Sequence, residues 1–84
     1  MSPLLKTLEV HVQLYSILRE KLPHDARGRT TLQLEVGATL ADILELLEIE
    51  RKVVVGVNGA YEGDYSRPVQ DGDELKIFSA VSGG

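Results

Sequence analysis

The residues with the clearest chemical potential are the last four, Val81, Ser82, Gly83 and Gly84, which follow a segment that reads as a strand. Glycine has no Cβ, so a Gly-Gly end can pass through a slot too narrow for a side chain. At about 3.3 to 3.6 Å per residue, four extended residues carry the Gly84 carboxylate at most ~13 to 14 Å, into a partner's pocket. The tail alone leaves two interpretations open: a carboxylate presented to other proteins, or a frayed end or expression remnant without function.

Other reactive groups are sparse in this sequence. It contains no cysteine, which removes disulfides, thiolate metal sites and thiol nucleophiles. His11 and His24 lack the paired spacing of zinc ligands, so we interpret both as surface residues and predict no metal site. The segment Gly56–Gly59 has neither the lysine nor the strand-to-helix context of a phosphate-binding loop. No set of acids, bases and nucleophiles indicates a catalytic site, which leaves the carboxylate of Gly84.

The composition is typical of one small domain. A chain of 84 residues with 43% hydrophobic residues has room for a single core, so we expect one domain over residues 1–84 with residues 79–84 as a reactive tail. No apolar run approaches the ~18 to 20 residues of a membrane span, and Met1–Lys6 is too short for a secretory signal. We therefore expect a cytoplasmic protein with no membrane partner. The net charge of −4 disfavours nucleic acid as a partner and favours a basic protein surface.

Hydrophobic periodicity predicts the strands that must position this tail. Strands are indicated where apolar and polar residues alternate, or where β-branched residues cluster between turn signals. In chain order, the expected strands are Thr7–Leu14, Thr31–Val36, Val53–Val57, Ala60–Tyr65 and Glu74–Ser79. We expect Val36 to face inward with Leu32 and Leu34. Asn58-Gly59 predicts a tight hairpin between the third and fourth strands, because both central positions of a type I′ turn need positive φ.

Two helices are expected between these strands. A short one covers Tyr15–Leu22, with Ile17 on its inner side, and His24–Arg29 follows as a loop. A second begins after Thr39, whose hydroxyl can form a capping box with Asp42. The apolar stripe of this second helix should lie on the sheet and comprises Leu40, Ile43, Leu44 and Leu47. The order of elements predicts an α+β fold, in which a mixed sheet is covered by helices on one face.

The last strand carries an aromatic residue on its outer face. If the apolar residues on either side of Phe78 face the core, alternation directs Phe78 outward. A single exposed aromatic is ordinary, but Phe78 lies close to Val81 and the tail, where an apolar spot can dock a partner. We therefore predict that Phe78 and Val81 bind a partner while Val81, Ser82 and Gly83 thread the tail into its site.

Three stretches together resemble the ubiquitin-like sulfur-carrier proteins of the MoaD/ThiS type. They are Val57 to Gly59 (VNG), Val69 to Leu75 (VQDGDEL) and Phe78 to Gly84 (FSAVSGG). The resemblance implies a β-grasp fold and a C-terminal glycine, here Gly84, that an E1-like enzyme adenylates and converts to a thiocarboxylate. It further implies a non-catalytic carrier that binds no cofactor itself, an activating enzyme that uses ATP, and a sulfur donor protein as a partner.

Two branches of this family differ between their first two strands. Thiamine-pathway (ThiS-like) carriers join these strands by a tight hairpin, whereas this chain inserts Tyr15–Arg29 there, as the molybdopterin synthase small subunit (MoaD-like) does. This resemblance implies sulfur donation in molybdenum cofactor biosynthesis, with a large-subunit partner in a heterotetramer. Ser79 and Ala80 stand where that subunit often has prolines. Thiamine, tungstopterin and cysteine pathways, protein conjugation, and a ubiquitin-like interaction module therefore remain alternatives.

Overall fold

The chain folds into a mixed five-stranded sheet with an α-helix packed on one face, as seen in a computed structural model that describes residues 7–80. In chain order the elements are β1 (Thr7–Leu14), a 3₁₀ helix (Ser16–Lys21), a second 3₁₀ helix (His24–Ala26), β2 (Arg29–Glu35), α1 (Leu40–Leu46), β3 (Val53–Val57), β4 (Ala60–Glu62) and β5 (Glu74–Ser79). The predicted α+β class and mixed sheet are confirmed.

The last strand lies at the centre of the sheet. The strand order is β2-β1-β5-β3-β4, and β5 pairs parallel with β1 and antiparallel with β3. The other two pairings, β1 with β2 and β3 with β4, are antiparallel. β5 is paired on both sides as far as Ile77, and its last residues, Phe78 and Ser79, continue to pair with β3.

Alternation places one face of the sheet in the core. The inward residues of β1, β3 and β5 are Leu8, Val10, Val12, Leu14, Val53, Val55, Val57, Leu75 and Ile77, and all are buried. Helix α1 adds Leu40 and Ile43, with Leu44 and Leu47 at the margin, as the stripe predicted. Its capping box is formed as expected: Thr39 Oγ1 accepts from the Asp42 amide at 3.2 Å, and the Thr39 amide donates to Asp42 Oδ2 at 2.9 Å.

The expected helix over Tyr15–Leu22 is wrong in type and in one inward residue. Ser16 adopts a φ of 56° and turns the chain after β1, and Ser16–Lys21 then forms a 3₁₀ helix. With three residues per turn, adjacent apolar residues separate more widely around the axis than in an α-helix. Leu18 is therefore buried while Ile17 is 47% exposed.

The expected loop His24–Arg29 contains a 3₁₀ helix at His24–Ala26, and β2 begins at Arg29 rather than Thr31. Two strand ends also differ from the sequence prediction. Val36 is 64% exposed, because β2 ends one residue earlier in a turn where the Glu35 carbonyl accepts from the Ala38 amide at 3.1 Å. β4 stops at Glu62 rather than continuing to Tyr65. The Asp64 amide donates to the Glu62 carboxylate at 3.0 Å. The ladder with β3 ends at the Val55–Glu62 pair.

Candidate functional site

The predicted reactive residues Val81, Ser82, Gly83 and Gly84 lie outside the described residues, but the segment that leads to them is well defined. We call Ser79–Ala80 the tail root. The amide of Ala80 donates to the Lys52 carbonyl at 3.0 Å, and the Arg51 guanidinium donates to the Ser79 hydroxyl at 3.4 Å. These bonds fix the direction in which the chain leaves β5.

Phe78 points away from the core, as the sequence predicted, and is 40% exposed. Its ring stacks on Tyr15, with ring centroids 4.3 Å apart and an interplanar angle of 13°. On its other side Phe78 pairs with Val54, which is 39% exposed. Tyr15, Val54 and Phe78 thus form one apolar surface across three strands or strand ends, which we call the outer patch. Phe78 of this patch directly precedes the tail root.

Sequence reasoning missed the part that Tyr15 plays in this patch. The sequence pattern predicts that Tyr15 begins a helix, whereas in the structure it directly follows β1. The parallel register sets Leu14 beside Ile77, so the next residue of each strand, Tyr15 and Phe78, fall side by side on the outer face. No local pattern reveals this neighbour, because it depends on which strands pair.

The outer patch borders Gly56 on β3. Gly56 faces outward between Lys76 on β5 and Tyr61 on β4, its direct cross-strand neighbours. A Cβ at Gly56 would make ordinary van der Waals contacts with the Ala60 and Lys76 carbonyl oxygens, at 3.8 and 3.9 Å. Tyr61 is 73% exposed on the far side.

The charge near the outer patch differs from that of the whole chain. Lys76 on the outer face and Arg51 and Lys52 beside the tail root are all exposed cations, whereas exposed acids occupy the solvent side of α1 (Asp42 and Glu45). The net charge of −4 therefore does not describe the surface around Phe78. The expectation that partners present a basic surface to this acidic domain stays a prediction.

A buried carboxylate fixes the start of β5. Asp73 is only 7% exposed; its Oδ1 accepts from Asn58 Nδ2 at 2.9 Å and its Oδ2 accepts from the Gln70 amide at 2.9 Å. Asn58 in turn accepts from the Glu74 amide at 2.9 Å. The predicted Asn58-Gly59 turn is confirmed by φ angles of 53° and 89°. This network sets the register of β5, and with it the outward position of Phe78.

A second anchor holds the segment between β4 and β5. The Tyr65 hydroxyl donates to the Val53 carbonyl at 2.7 Å, and Tyr65 packs against the core. Burial, and to a smaller extent the neighbouring Tyr61, raises the pKa of the Tyr65 phenol above its ordinary value. The phenol therefore remains a hydrogen-bond donor at neutral pH.

The two histidines are exposed, as interpreted from the sequence. His11 Nδ1 lies 3.3 Å from the Thr31 hydroxyl, and His24 begins the second 3₁₀ helix. Residues 7–80 contain no group of three or more histidines, cysteines or acids that could hold a metal ion. None of the helices in that part of the chain has the length and apolar content needed to cross a membrane.

Comparison with known proteins agrees with this architecture. The sequence matches the ThiS family over residues 12–84, and no curated protein matches it. Similar solved structures include a putative molybdopterin converting factor subunit 1 from Pyrococcus furiosus (TM-score 0.71, 21% identity, 88% of this chain and 99% of that chain). Small archaeal modifier protein 1 of Haloferax volcanii is also similar (TM-score 0.70, 19% identity, 88% of this chain and 99% of that chain).

A third similar structure is a protein complex of subunits 1 and 2 of molybdopterin-converting factor from Helicobacter pylori (TM-score 0.62, 15% identity, 92% of this chain and 100% of that chain). These likenesses confirm the ubiquitin-like β-grasp fold that the resemblance implied. The family match extends through the Gly-Gly end, so it includes the residues that the sequence marks as reactive.

Proposed function

Since the chain belongs to the ThiS family, we propose that it is a sulfur carrier whose C-terminal glycine, Gly84, is adenylated and converted to a thiocarboxylate. The observation that carries this proposal is that the family match continues to residue 84 and so includes Gly83 and Gly84. The tail root supports it, because pairing with β3 continues to Ser79 and the Ala80 amide donates to the Lys52 carbonyl just before these residues begin.

The chemistry requires an activating partner. A carboxylate is a poor acyl donor because its oxygen is a poor leaving group. An E1-like enzyme joins the Gly84 carboxylate to the α-phosphorus of ATP and releases pyrophosphate; sulfide-level sulfur from a donor protein then displaces AMP. The net change replaces one carboxylate oxygen by sulfur. The carrier contributes the acyl group and its position, and its partners contribute the catalysis.

We propose that the outer patch is the surface on which these partners dock. Phe78 and Val54 are exposed apolar residues close to the tail root, and Phe78 is pre-ordered by its stack on Tyr15. Burial of such rigid aromatic groups gives much of the binding energy in protein interfaces. Val81 extends this surface in our proposal, and Ser82 and Gly83 thread Gly84 into the partner's site.

For the acceptor pathway, we propose molybdopterin synthesis, with this chain as the small subunit of a heterotetrameric synthase. Two observations support the assignment. The chain inserts two 3₁₀ helices between β1 and β2, whereas thiamine-type carriers join these two strands by a tight hairpin. In addition, a similar structure is that of a subunit 1 and subunit 2 complex. The likeness to a small archaeal modifier favours protein conjugation as the second candidate.

Mass spectrometry of the loaded carrier separates these pathways. We expect the thiocarboxylated chain to lose its sulfur, and regain the mass of the carboxylate form, when it is mixed with a molybdopterin synthase large subunit and a pterin precursor. A modifier would instead add its whole mass to another protein through an amide bond. Retention of the sulfur with a competent large subunit, together with conjugates in the same sample, would reject the molybdopterin assignment.

Replacing Phe78 tests the docking surface. Phe78→Ala is expected to weaken binding to the activating enzyme by about tenfold or more, as truncation of a central aromatic residue does. Stability should fall by less than the ~3 to 5 kcal/mol that a buried Phe→Ala change costs, because Phe78 is 40% exposed. The measurements are calorimetric affinity and thermal unfolding.

Val36→Ala is the matched control, because Val36 is also an exposed apolar residue but lies at the end of β2, away from the patch. It should leave the affinity unchanged. If both variants weaken binding equally, or if Phe78→Ala chiefly unfolds the domain, the outer patch is not the docking surface.

A further inference from the structure

Strand β2 presents an open edge. It lies at the end of the strand order, spans seven residues, and pairs with β1 without interruption from Arg29 to Glu35. It contains no proline, glycine or lysine, which are among the devices that block edge strands in natural sheets, and it has no bulge. The opposite edge, β4, has only three residues. Of the two edges, β2 is the one long enough to template another strand.

The hydrogen-bond pattern shows which backbone groups are available at this edge. The Leu14 amide donates to the Gly28 carbonyl on the β2 side at 2.6 Å, while the His11 amide donates to the Asp73 carbonyl on the β5 side at 2.9 Å. Since hydrogen-bonded and non-hydrogen-bonded pairs alternate along an antiparallel ladder, the even-numbered residues of β2 bond to β1. The backbone groups that point to the free edge belong to Arg29, Thr31, Gln33 and Glu35.

These edge residues are complementary to a second copy of themselves. When two β2 strands pair antiparallel with Leu32 opposite Leu32, Arg29 lies opposite Glu35 of the other copy at both ends. Thr31 then lies opposite Gln33. Each residue whose backbone N–H and C=O groups point to the free edge then lies directly opposite another such residue, which is the arrangement of hydrogen-bonded pairs. A shift by two residues in either direction sets Arg29 opposite Gln33 or Gly37 and loses both charge pairs.

The two charged side chains of β2 can make these contacts. Arg29 Nε donates to Gln13 Oε1 at 2.8 Å, which holds the guanidinium on the outer face. Within residues 7–80 neither Arg29 nor Glu35 forms an ion pair; the pair found there joins Arg67 and Glu62. The Glu35 carbonyl accepts from the Ala38 amide, and its second lone pair is still available.

The inner face of β2 also favours this pairing. Leu32 and Leu34 are only partly buried at the margin of the core. In the paired arrangement Leu32 meets Leu32 of the other copy on this face, because directly opposite residues of antiparallel strands point the same way. The apolar layer would continue from one domain into the next.

We propose that the chain forms a weak homodimer by antiparallel pairing of two β2 strands centred on Leu32, which joins two sheets into one. The tail root lies on β5, separated from β2 by β1. Dimerisation therefore leaves the root and Phe78 accessible in both copies, and it does not depend on the proposed sulfur chemistry.

Charge reversal tests the register directly. In sedimentation equilibrium from about 20 µM to about 1 mM, the wild type should associate. Arg29→Glu and Glu35→Arg should each weaken association about tenfold or more, because each turns two attractive cross-strand pairs into repulsive ones. An equimolar mixture of the two variants should dimerise again, since every acidic position then faces a basic one. The double variant in one chain should do the same.

Lys21→Glu is the matched control: it makes the same charge change at an exposed site on the first 3₁₀ helix and should leave association unchanged. Circular dichroism checks that each variant is folded, and the mixture provides a positive result that unfolded variants could not give. A wild type that is monomeric throughout the range, a mixture that stays monomeric, or a Lys21→Glu variant as weak as Arg29→Glu would overturn the proposal.

Discussion

Deletion of Gly84 is expected to abolish thiocarboxylate formation without changing the melting temperature. The proposed reactive group is the carboxylate of this residue, and deletion leaves Gly83 as the last residue, whose carboxylate falls short of the reactive position by up to ~3.6 Å. Addition of one residue after Gly84 should have the same effect. It displaces the carboxylate by up to ~3.6 Å, and misplacement of only ~1 Å can cost on the order of 100-fold in rate.

Thermal unfolding of the same variants provides the control. The core residues that the structure describes all lie within residues 7–80, and both variants keep every one of them. Both variants should also retain the Tyr15–Phe78 stack that forms the proposed docking surface. Normal sulfur loading of the shortened or extended chain would refute the carrier proposal.

Replacement of Asp73 should have the largest effect on stability among the polar residues described. Asp73→Ala leaves the Asn58 amide group and the Gln70 backbone amide without their acceptor, and Asp73 is only 7% exposed. Both hydrogen bonds are part-buried, so water replaces the lost acceptor only in part. An unsatisfied donor costs about 1 to 3 kcal/mol, and we expect a loss of roughly 2 to 3 kcal/mol. For a domain of this size that corresponds to a melting temperature lower by roughly 10 to 20 °C.

Asp71→Ala in the same turn is the matched comparison. Asp71 also accepts a backbone hydrogen bond, from the Glu9 amide at 2.8 Å, but its carboxylate is exposed and water can replace it as acceptor. Its removal should cost about 1 kcal/mol or less. Calorimetric unfolding measures both. Equal losses for the two variants would show that burial of Asp73 does not anchor β5.

Much of the fold was predictable because burial of one sheet face leaves a regular trace in the sequence. β1, β3 and β5 begin and end where the sequence predicted, since an alternating or β-branched run is bounded by turn residues on each side. The Thr39–Asp42 capping box was predictable for a similar reason: its two partners are three residues apart and their geometry is local.

The errors occur where tertiary packing overrides a local pattern. The spacing of Ile17 and Leu18 fits an α-helix, but a segment of six residues is too short for intrinsic propensity to decide its winding. Val36 continues the alternation of β2 in sequence, yet the turn at Glu35 removes it from the sheet. In both cases the sequence shows that the residue is apolar, but contacts with other segments of the chain decide whether it is buried.

The candidate site was predictable in part. Gly84 follows from its residue type and position, and the outward direction of Phe78 follows from alternation within one strand. The stack of Tyr15 on Phe78 and the burial of Asp73 were not predictable, because each depends on contacts between segments that are distant in sequence. The self-complementarity of β2 likewise becomes visible only once β2 is known to be an edge strand.

The most direct test of the carrier proposal is the intact mass of the chain after incubation with an E1-like enzyme, ATP and a sulfur donor protein. ATP–pyrophosphate exchange with this chain would first establish that the enzyme accepts it. We expect the mass to rise by the difference between one sulfur and one oxygen atom, and fragmentation should locate this change at Gly84. Because this chain contains no cysteine, a persulfide on one of its own cysteines cannot explain the added mass. An unchanged mass with an enzyme that adenylates the chain, or sulfur located at another residue, would contradict the carrier proposal.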